Sequence, residues 1–268
     1  MTNDQRPKLI ALDFDGVICD SVRETGTSGW RAARGLWPDE IASEDPPEDV
    51  LDRFIRLRPY LHTGYEAIPL MRLALDGIEP EGLTAGGIEA RKAEVLERTG
   101  IANEEFLARF SQTRDDWIRR DEDDWLGRNR FYPGTLEALE ELRSRHEVFI
   151  VTTKQTRFAR RLLERAGSEI QAERIFGLDT GKSKETILEE LRARPGFRGL
   201  PAHFVEDRLP TLRRIERVPS LDDVALHLCD WGYNTPEDRA AAAQDPRIEL
   251  IGSLMDIEES DGRTGFPG

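Results

Sequence analysis

The sequence is poor in cysteine, in lysine and in long apolar runs, and each shortage removes a class of protein. Two cysteines, Cys19 and Cys229, occur in 268 residues. Single and far apart, they lack the paired spacing of a zinc site or a redox motif and suit two reduced thiols inside a cell. The N-terminal MTNDQRPK opens onto the run LIAL, too short for a signal-peptide core, and no stretch approaches the roughly 20 apolar residues of a membrane span. A soluble, cytoplasmic protein without a membrane partner is expected. Basic residues are outnumbered too: 38 Lys and Arg against 52 Asp and Glu give a formal net charge of -14. Such a chain repels phosphate backbones, which argues against nucleic acid as a partner, and an anionic substrate would need a local cationic pocket. Lys154, Lys182 and Lys184 are three of the five lysines. Their proximity hints at a place where a compact ammonium is needed and a planar guanidinium is not. The sequence carries no mark of oligomeric state.

What is present is alternation. Short apolar runs at 9 to 13, 147 to 152, 202 to 206, 224 to 230 and 248 to 251 are too brief for helices and nearly continuous in apolar character, as strands buried on both faces should be. Helical patterns at 134 to 145, 155 to 166, 183 to 194 and 209 to 217 lie between the later ones, with Pro133 at a first helical position. Strand alternating with helix predicts a doubly wound, Rossmann-like α/β core with a parallel sheet. From 22 to 130 the alternation stops, and amphipathic segments at 22 to 36, 47 to 58, 64 to 76, 86 to 98 and 103 to 119 predict an inserted all-helical domain. The expected division is a core of 1–21 and 131–268 and a helical cap of 22–130, with the tail from 259 frayed.

Open parallel sheets bind ligands beyond the carboxyl ends of their strands, so polar residues there are the candidates. Asp13 and Asp15 follow the first strand; in extended chain they point the same way, and two close carboxylates favour a bound cation. Asp20 and Ser21 read as caps of the next helix. VTTK ends the second long strand with Thr152, Thr153 and Lys154, where a hydroxyl and N–H groups can hold a phosphoryl oxygen or merely cap a helix. Lys182 and Lys184 flank the start of ETILEEL, where the helix dipole opposes a cation and local structure gives it no reason to be. Glu206 and Asp207 end HFVED and offer the hard oxygen ligands that suit Mg²⁺, although capping alone explains one acid. The acid run Asp121 to Asp124 cannot turn four carboxylates to one ion and reads as a solvated linker. His146, His203 and His227 show no ligand spacing. Trp231 and Tyr233 are candidates for a pocket wall or for the core.

The ordered set DxD, Thr, Lys and acidic pair resembles the haloacid dehalogenase superfamily, over residues 8 to 21 and 131 to 255. The inserted helical domain is similar to the small caps of phosphoglycolate-phosphatase-like members, VTTKQ resembles their VTNK, and DWGYNT resembles a glycine-tyrosine loop they carry. LRPYLHTGYE, HFVEDRLPTL and WGYNT resemble a branch of plant and cyanobacterial members.

The resemblance implies a phosphatase acting on a small phosphorylated metabolite. Asp13 would be the nucleophile that forms an aspartyl-phosphate, and Asp15 the acid/base. Mg²⁺ would lie among Asp13, Asp15 through its backbone carbonyl, and Asp207. Thr152, Thr153 and Lys184 would hold the phosphate. The family often has a second aspartate four residues after the last acid; Thr211 stands there, and Glu206 would take over its metal contact. Substrate contacts are expected from Arg58, Tyr65, Glu66 and Lys154, with Arg56 and His62 also in that cap stretch. An acid at Asp15 favours phosphate esters over halides or phosphonates. A phosphomutase of the same fold, or a non-catalytic binding protein that has kept it, are the alternatives.

Overall fold

The computed structural model describes residues 6–260, and residues 261–268 of the tail expected to fray lie outside them. Contacts divide the chain into two units, one running to Asp20 and resuming at Phe131, the other Ser21–Arg130. In chain order the elements are β1 (Leu9–Leu12), β2 (Cys19–Asp20), α1 (Val22–Ala33), α2 (Glu48–Leu57), α3 (Ala67–Leu75), α4 (Ala85–Thr99), α5 (Asn103–Arg120), α6 (Glu122–Gly127), β3 (Arg130–Phe131) and α7 (Thr135–Arg145). There follow β4 (Glu147–Val151), α8 (Thr156–Arg165), β5 (Ile175–Phe176), α9 (Lys184–Ala193), β6 (Ala202–Glu206), α10 (Leu209–Glu216), β7 (Val224–Cys229), α11 (Pro236–Ala242), β8 (Ile248–Ile251) and α12 (Asp256–Glu259).

The α/β unit is built on a six-stranded sheet in the order β5-β4-β1-β6-β7-β8, with every described pairing parallel. Parallel strands need crossovers, and crossovers put helices over both faces, so the central strands read as unbroken apolar runs. On one face Leu9, Ala11, Phe149, Val151, Phe204 and Leu226 pack on Ile187, Leu188 and Leu191 of α9 and Leu209, Leu212 and Ile215 of α10. The alternate residues Ile10, Leu12, Val148, Ile150 and Val205 are buried as well.

That second face also buries a histidine. His203 is 1% exposed, and its Nδ1 lies 3.0 Å from Nε2 of His227, whose ring stacks on it; Glu249 on β8 faces His227 from beyond. Burial, then His227, Lys8 and His146, hold the His203 pKa down at about 3, with Glu249 the opposing charge. The folded chain therefore keeps His203 neutral while the unfolded chain protonates it near the ordinary value of 6.5. Stability should fall as pH drops through that window, by about 2 kcal/mol from this group between pH 7.5 and pH 5. Urea unfolding at both pH values checks it: His203→Asn should lack this share of the loss.

The helical unit has its own core, including Trp30, Phe54, Met71, Phe106, Phe110 and Trp117. Charge is buried in it too. Arg114 donates from Nε to Glu24 Oε1 at 2.7 Å and from a terminal nitrogen to Oε2 at 2.5 Å, while Ser28 Oγ and Trp125 Nε1 add bonds of 2.7 and 3.0 Å to Oε1. Glu24 is fully buried, so losing its charge removes the counter-charge from a guanidinium that is itself buried. Glu24→Gln should cost about 3 kcal/mol of stability in urea unfolding.

Three expectations are corrected. The acid run is helical: Asp121 caps α6 by accepting from the N–H of Asp124, and acids in a first turn are favoured by the helix dipole. Pro133 precedes α7, whose N-cap is Gly134 in the left-handed region. Asp20 belongs to the extended β2 and turns its Oδ1 to the Tyr233 hydroxyl at 2.8 Å, while Ser21 does occupy the N-cap position of α1, though without a side-chain cap bond. Among the described residues no helix is long and apolar enough to cross a membrane.

Candidate active site

β1 lies between β4 and β6, with Leu12 opposite Ile150 and Val205, so the carboxyl ends of three strands meet at one edge. Apart from Glu147 at the start of β4 and His203 within β6 these strands are apolar up to their carboxyl ends, where polar residues are delivered together. Asp13 follows β1, Thr152 follows β4, and Glu206 closes β6 with Asp207 next. Lys184, the first residue of α9, reaches them: its Nζ lies 3.0 Å from Asp13 Oδ2 and 2.6 Å from Glu206 Oε2. A carboxylate oxygen from each of Asp13, Glu206 and Asp207 lies within 4.8 Å of the other two, and all three residues are buried.

Burial raises the Asp13 carboxyl to about 6, with Lys184 opposing and Glu206 adding to the rise. Glu206 is raised to about 7, again mainly by burial, with Lys184 opposing and Asp207 adding. Burial works against the Lys184 ammonium, but Asp13 and Glu206 outweigh it and hold its pKa above the ordinary lysine value. Three carboxylates against one ammonium leave a surplus equal to the charge of one divalent cation. Oxygen donors only, in a cluster of this size, fit a hard cation such as Mg²⁺.

Asp207 is wedged between two glycines. A Cβ on Gly16, whose φ is +90°, would lie 2.0 Å from Asp207 Oδ2, and one on Gly232 would lie 2.3 Å from Asp207 Cβ. The N–H of Tyr233 donates to Asp207 Oδ2 at 2.8 Å, and Asn234 Nδ2 ties the Asp207 carbonyl to that of Cys229. Sequence reasoning passes over Asn234 and over the backbone role of Tyr233; its one signal is the glycine of WGYNT.

Asp15 stands apart from the trio and is held by Lys154, whose Nζ lies 3.0 and 3.2 Å from its two carboxylate oxygens. Thr152 is buried and its hydroxyl accepts from the Lys154 N–H at 3.1 Å, whereas Thr153 is exposed. Lys182 pairs with Glu190 at 2.7 Å in solvent, so of the two neighbouring lysines Lys184 is the one that meets the acids. Thr211 lies buried on α10.

A sequence model of one family, described as haloacid dehalogenase-like hydrolase, matches residues 7–212. The chain belongs to the haloacid dehalogenase-like hydrolases. Solved structures share the fold of this haloacid dehalogenase-like hydrolase at low identity. A predicted phosphoglycolate phosphatase from Haemophilus somnus matches with TM-score 0.55 and 17% identity over 97% of this chain and 99% of its own. A haloacid dehalogenase-like family protein from Streptococcus pneumoniae matches with TM-score 0.53 and 14% identity over 94% and 97%. Protein Tyrosine Kinase A of Mycobacterium tuberculosis matches with TM-score 0.51 and 18% identity over 98% and 100%. One fold thus accompanies differently named activities, and function must be argued from the site. A comparison with curated proteins finds no match.

The candidates for substrate contact other than Lys154 lie in the helical unit. Arg58 is buried there, and burial raises the pKa of Tyr65. Glu66 is engaged within its own unit: it accepts from the His62 N–H at 2.6 Å and from Lys92 Nζ at 3.2 Å, closing a capping box with Thr63. His62 Nε2 lies 2.9 Å from Glu89 Oε1, and Arg56 forms an ion pair with Glu79.

Proposed function

We propose that the chain is a Mg²⁺-dependent phosphatase that hydrolyses a small phosphomonoester through an aspartyl-phosphate, with residues 22–130 as the substrate-selecting cap. The observation that carries the reading is the buried cluster in which Lys184 spans Asp13 and Glu206, with Asp207 in reach and Asp15 two residues beyond the first acid. Asp13, Glu206, Asp207 and the backbone of Asp15 would hold Mg²⁺, which would supply charge neutralisation between nucleophile and phosphate.

Asp13 attacks phosphorus with the oxygen left free by its own backbone, since Oδ1 already accepts from the Phe14 N–H at 2.7 Å and Oδ2 faces Lys184. On binding of phosphate, Lys184 moves part of its hydrogen bonding from Asp13 to a phosphoryl oxygen, freeing the nucleophile and stabilising the charge that develops. The Thr152 hydroxyl donates to a second oxygen while continuing to accept from Lys154 N–H. Asp15 gives its proton to the leaving oxygen, then removes one from the attacking water. Arg58, Tyr65 and Glu66 belong to the proposed cap; of these the cationic Arg58 suits a substrate anion.

The test is release of p-nitrophenolate from p-nitrophenyl phosphate. Turnover is expected with Mg²⁺ and a loss to background with EDTA, restored by excess Mg²⁺; activity indifferent to EDTA would overturn the reading.

A further inference from the structure

The mechanism leaves the Lys154 side chain unused, yet it is buried at the site. Its side chain is 1% exposed, and its ammonium lies 3.0 Å from one oxygen of Asp15 and 3.2 Å from the other. The backbone is fixed from both sides: the N–H donates to the Thr152 hydroxyl at 3.1 Å, and the carbonyl accepts from the Leu178 N–H at 3.0 Å. The stem passes the ring of Phe14, with Nζ 5.9 Å from the ring centre. A lysine so enclosed has its charge committed to one carboxylate.

We propose that Lys154 is a positioning residue for Asp15 rather than a substrate contact. The inference rests on the phosphatase reading, in which Asp15 exchanges a proton with the leaving group. A terminal carboxylate rotates freely about its last bond, and an ammonium that touches both oxygens from one side removes that freedom. The opposite edge of the carboxyl is thereby aimed outward, and proton transfer needs just such a fixed approach within hydrogen-bond reach. Lysine suits the task where arginine would not, because a point donor can sit between two oxygens at the end of a slim stem.

The measurement is kcat/KM, which reports the step that expels the leaving group, on an alkyl phosphate and on p-nitrophenyl phosphate. An alkoxide needs a proton to leave and p-nitrophenolate does not. Lys154→Met should lose about 10- to 100-fold more on the alkyl ester than on the aryl ester, with Lys154→Arg between it and the parent. The second arm is a double-mutant cycle. On an Asp15→Asn background, adding Lys154→Met should cost less than about twofold on the aryl ester, because the lysine acts through the carboxylate already removed. Equal losses on both esters, or losses that multiply in the cycle, would make Lys154 a direct phosphate contact or a purely structural residue and overturn the proposal. Retained activity in Asp13→Asn would instead remove the phosphatase reading itself, so that variant separates the two failures.

Discussion

Asp13→Asn should lose turnover by about 10⁴-fold or more while the protein remains folded. The amide is nearly isosteric with the carboxyl, and its oxygen can keep the bond from the Phe14 N–H. It cannot form the acyl-phosphate, because the neutral amide oxygen is a poor nucleophile and the product would be unstable. Stability should hold for a separate reason. Asp13 sits in a buried cluster with more carboxylates than cations, and burial has already raised its pKa to about 6. Removing that charge relieves repulsion with Glu206 at the cost of one ion pair to Lys184. Urea unfolding in the absence of Mg²⁺ should therefore show a midpoint no lower than the parent's, with phosphatase activity at background. An inactive and unfolded variant would leave only a structural role for Asp13.

Lys184→Met should damage both activity and stability. The variant keeps the unbranched stem, one atom shorter, and removes the ammonium that bridges Asp13 and Glu206. Losing a buried donor to a developing oxyanion costs about 10²- to 10³-fold in kcat. The three carboxylates are then left without a compensating charge; because Asp13 and Glu206 can take up protons near neutral pH, the penalty at pH 7.5 should be about 2 to 3 kcal/mol rather than the full cost of a broken buried pair. Mg²⁺ should recover part of this, and should stabilise the variant more than it stabilises the parent, because a cation is then the only counter-charge in the cluster. Unfolding midpoints with Mg²⁺ and with EDTA, together with steady-state rates, check both halves. An unchanged stability with a lost rate would show that Lys184 is not needed to hold the acids together.

The strands were legible in the sequence because a strand buried on two faces has to be apolar at nearly every position. LIAL, EVFIV, AHFVE, VALHLC and IELI all fall where apolar runs predict them, although the edge strand β8 exposes Glu249 and Leu250 and is not buried on both faces as expected. β5 was not, since Ile175 and Phe176 are too few to form a run and are recruited only by pairing with β4. Asp13, Thr152 and the Glu206–Asp207 pair stood out because they interrupt apolar runs at strand ends, and Lys184 because a cation opens a helix there. Their partners did not: Lys154 meets Asp15 across 139 positions, and Asn234 reaches Asp207 across 27. No local pattern encodes such pairs. Periodicity alone also could not divide Lys182 from Lys184, which lie two residues apart but point one into solvent and the other to Asp13. The buried Glu24 in α1 escaped for a related reason, because its partner Arg114 is 90 residues away.

A covalent bond between phosphorus and Asp13 is the centre of the proposed mechanism, and one experiment reports on it directly. In Asp15→Asn, p-nitrophenyl phosphate still carries a leaving group that needs no proton, while the attacking water has lost its base. Mixing this variant with p-nitrophenyl phosphate and Mg²⁺ should give a burst of p-nitrophenolate equal to the enzyme present. Acid quench and mass spectrometry should then find one phosphoryl group on the peptide that contains Asp13. A burst absent under these conditions, or a phosphoryl group on any other side chain, would contradict the account.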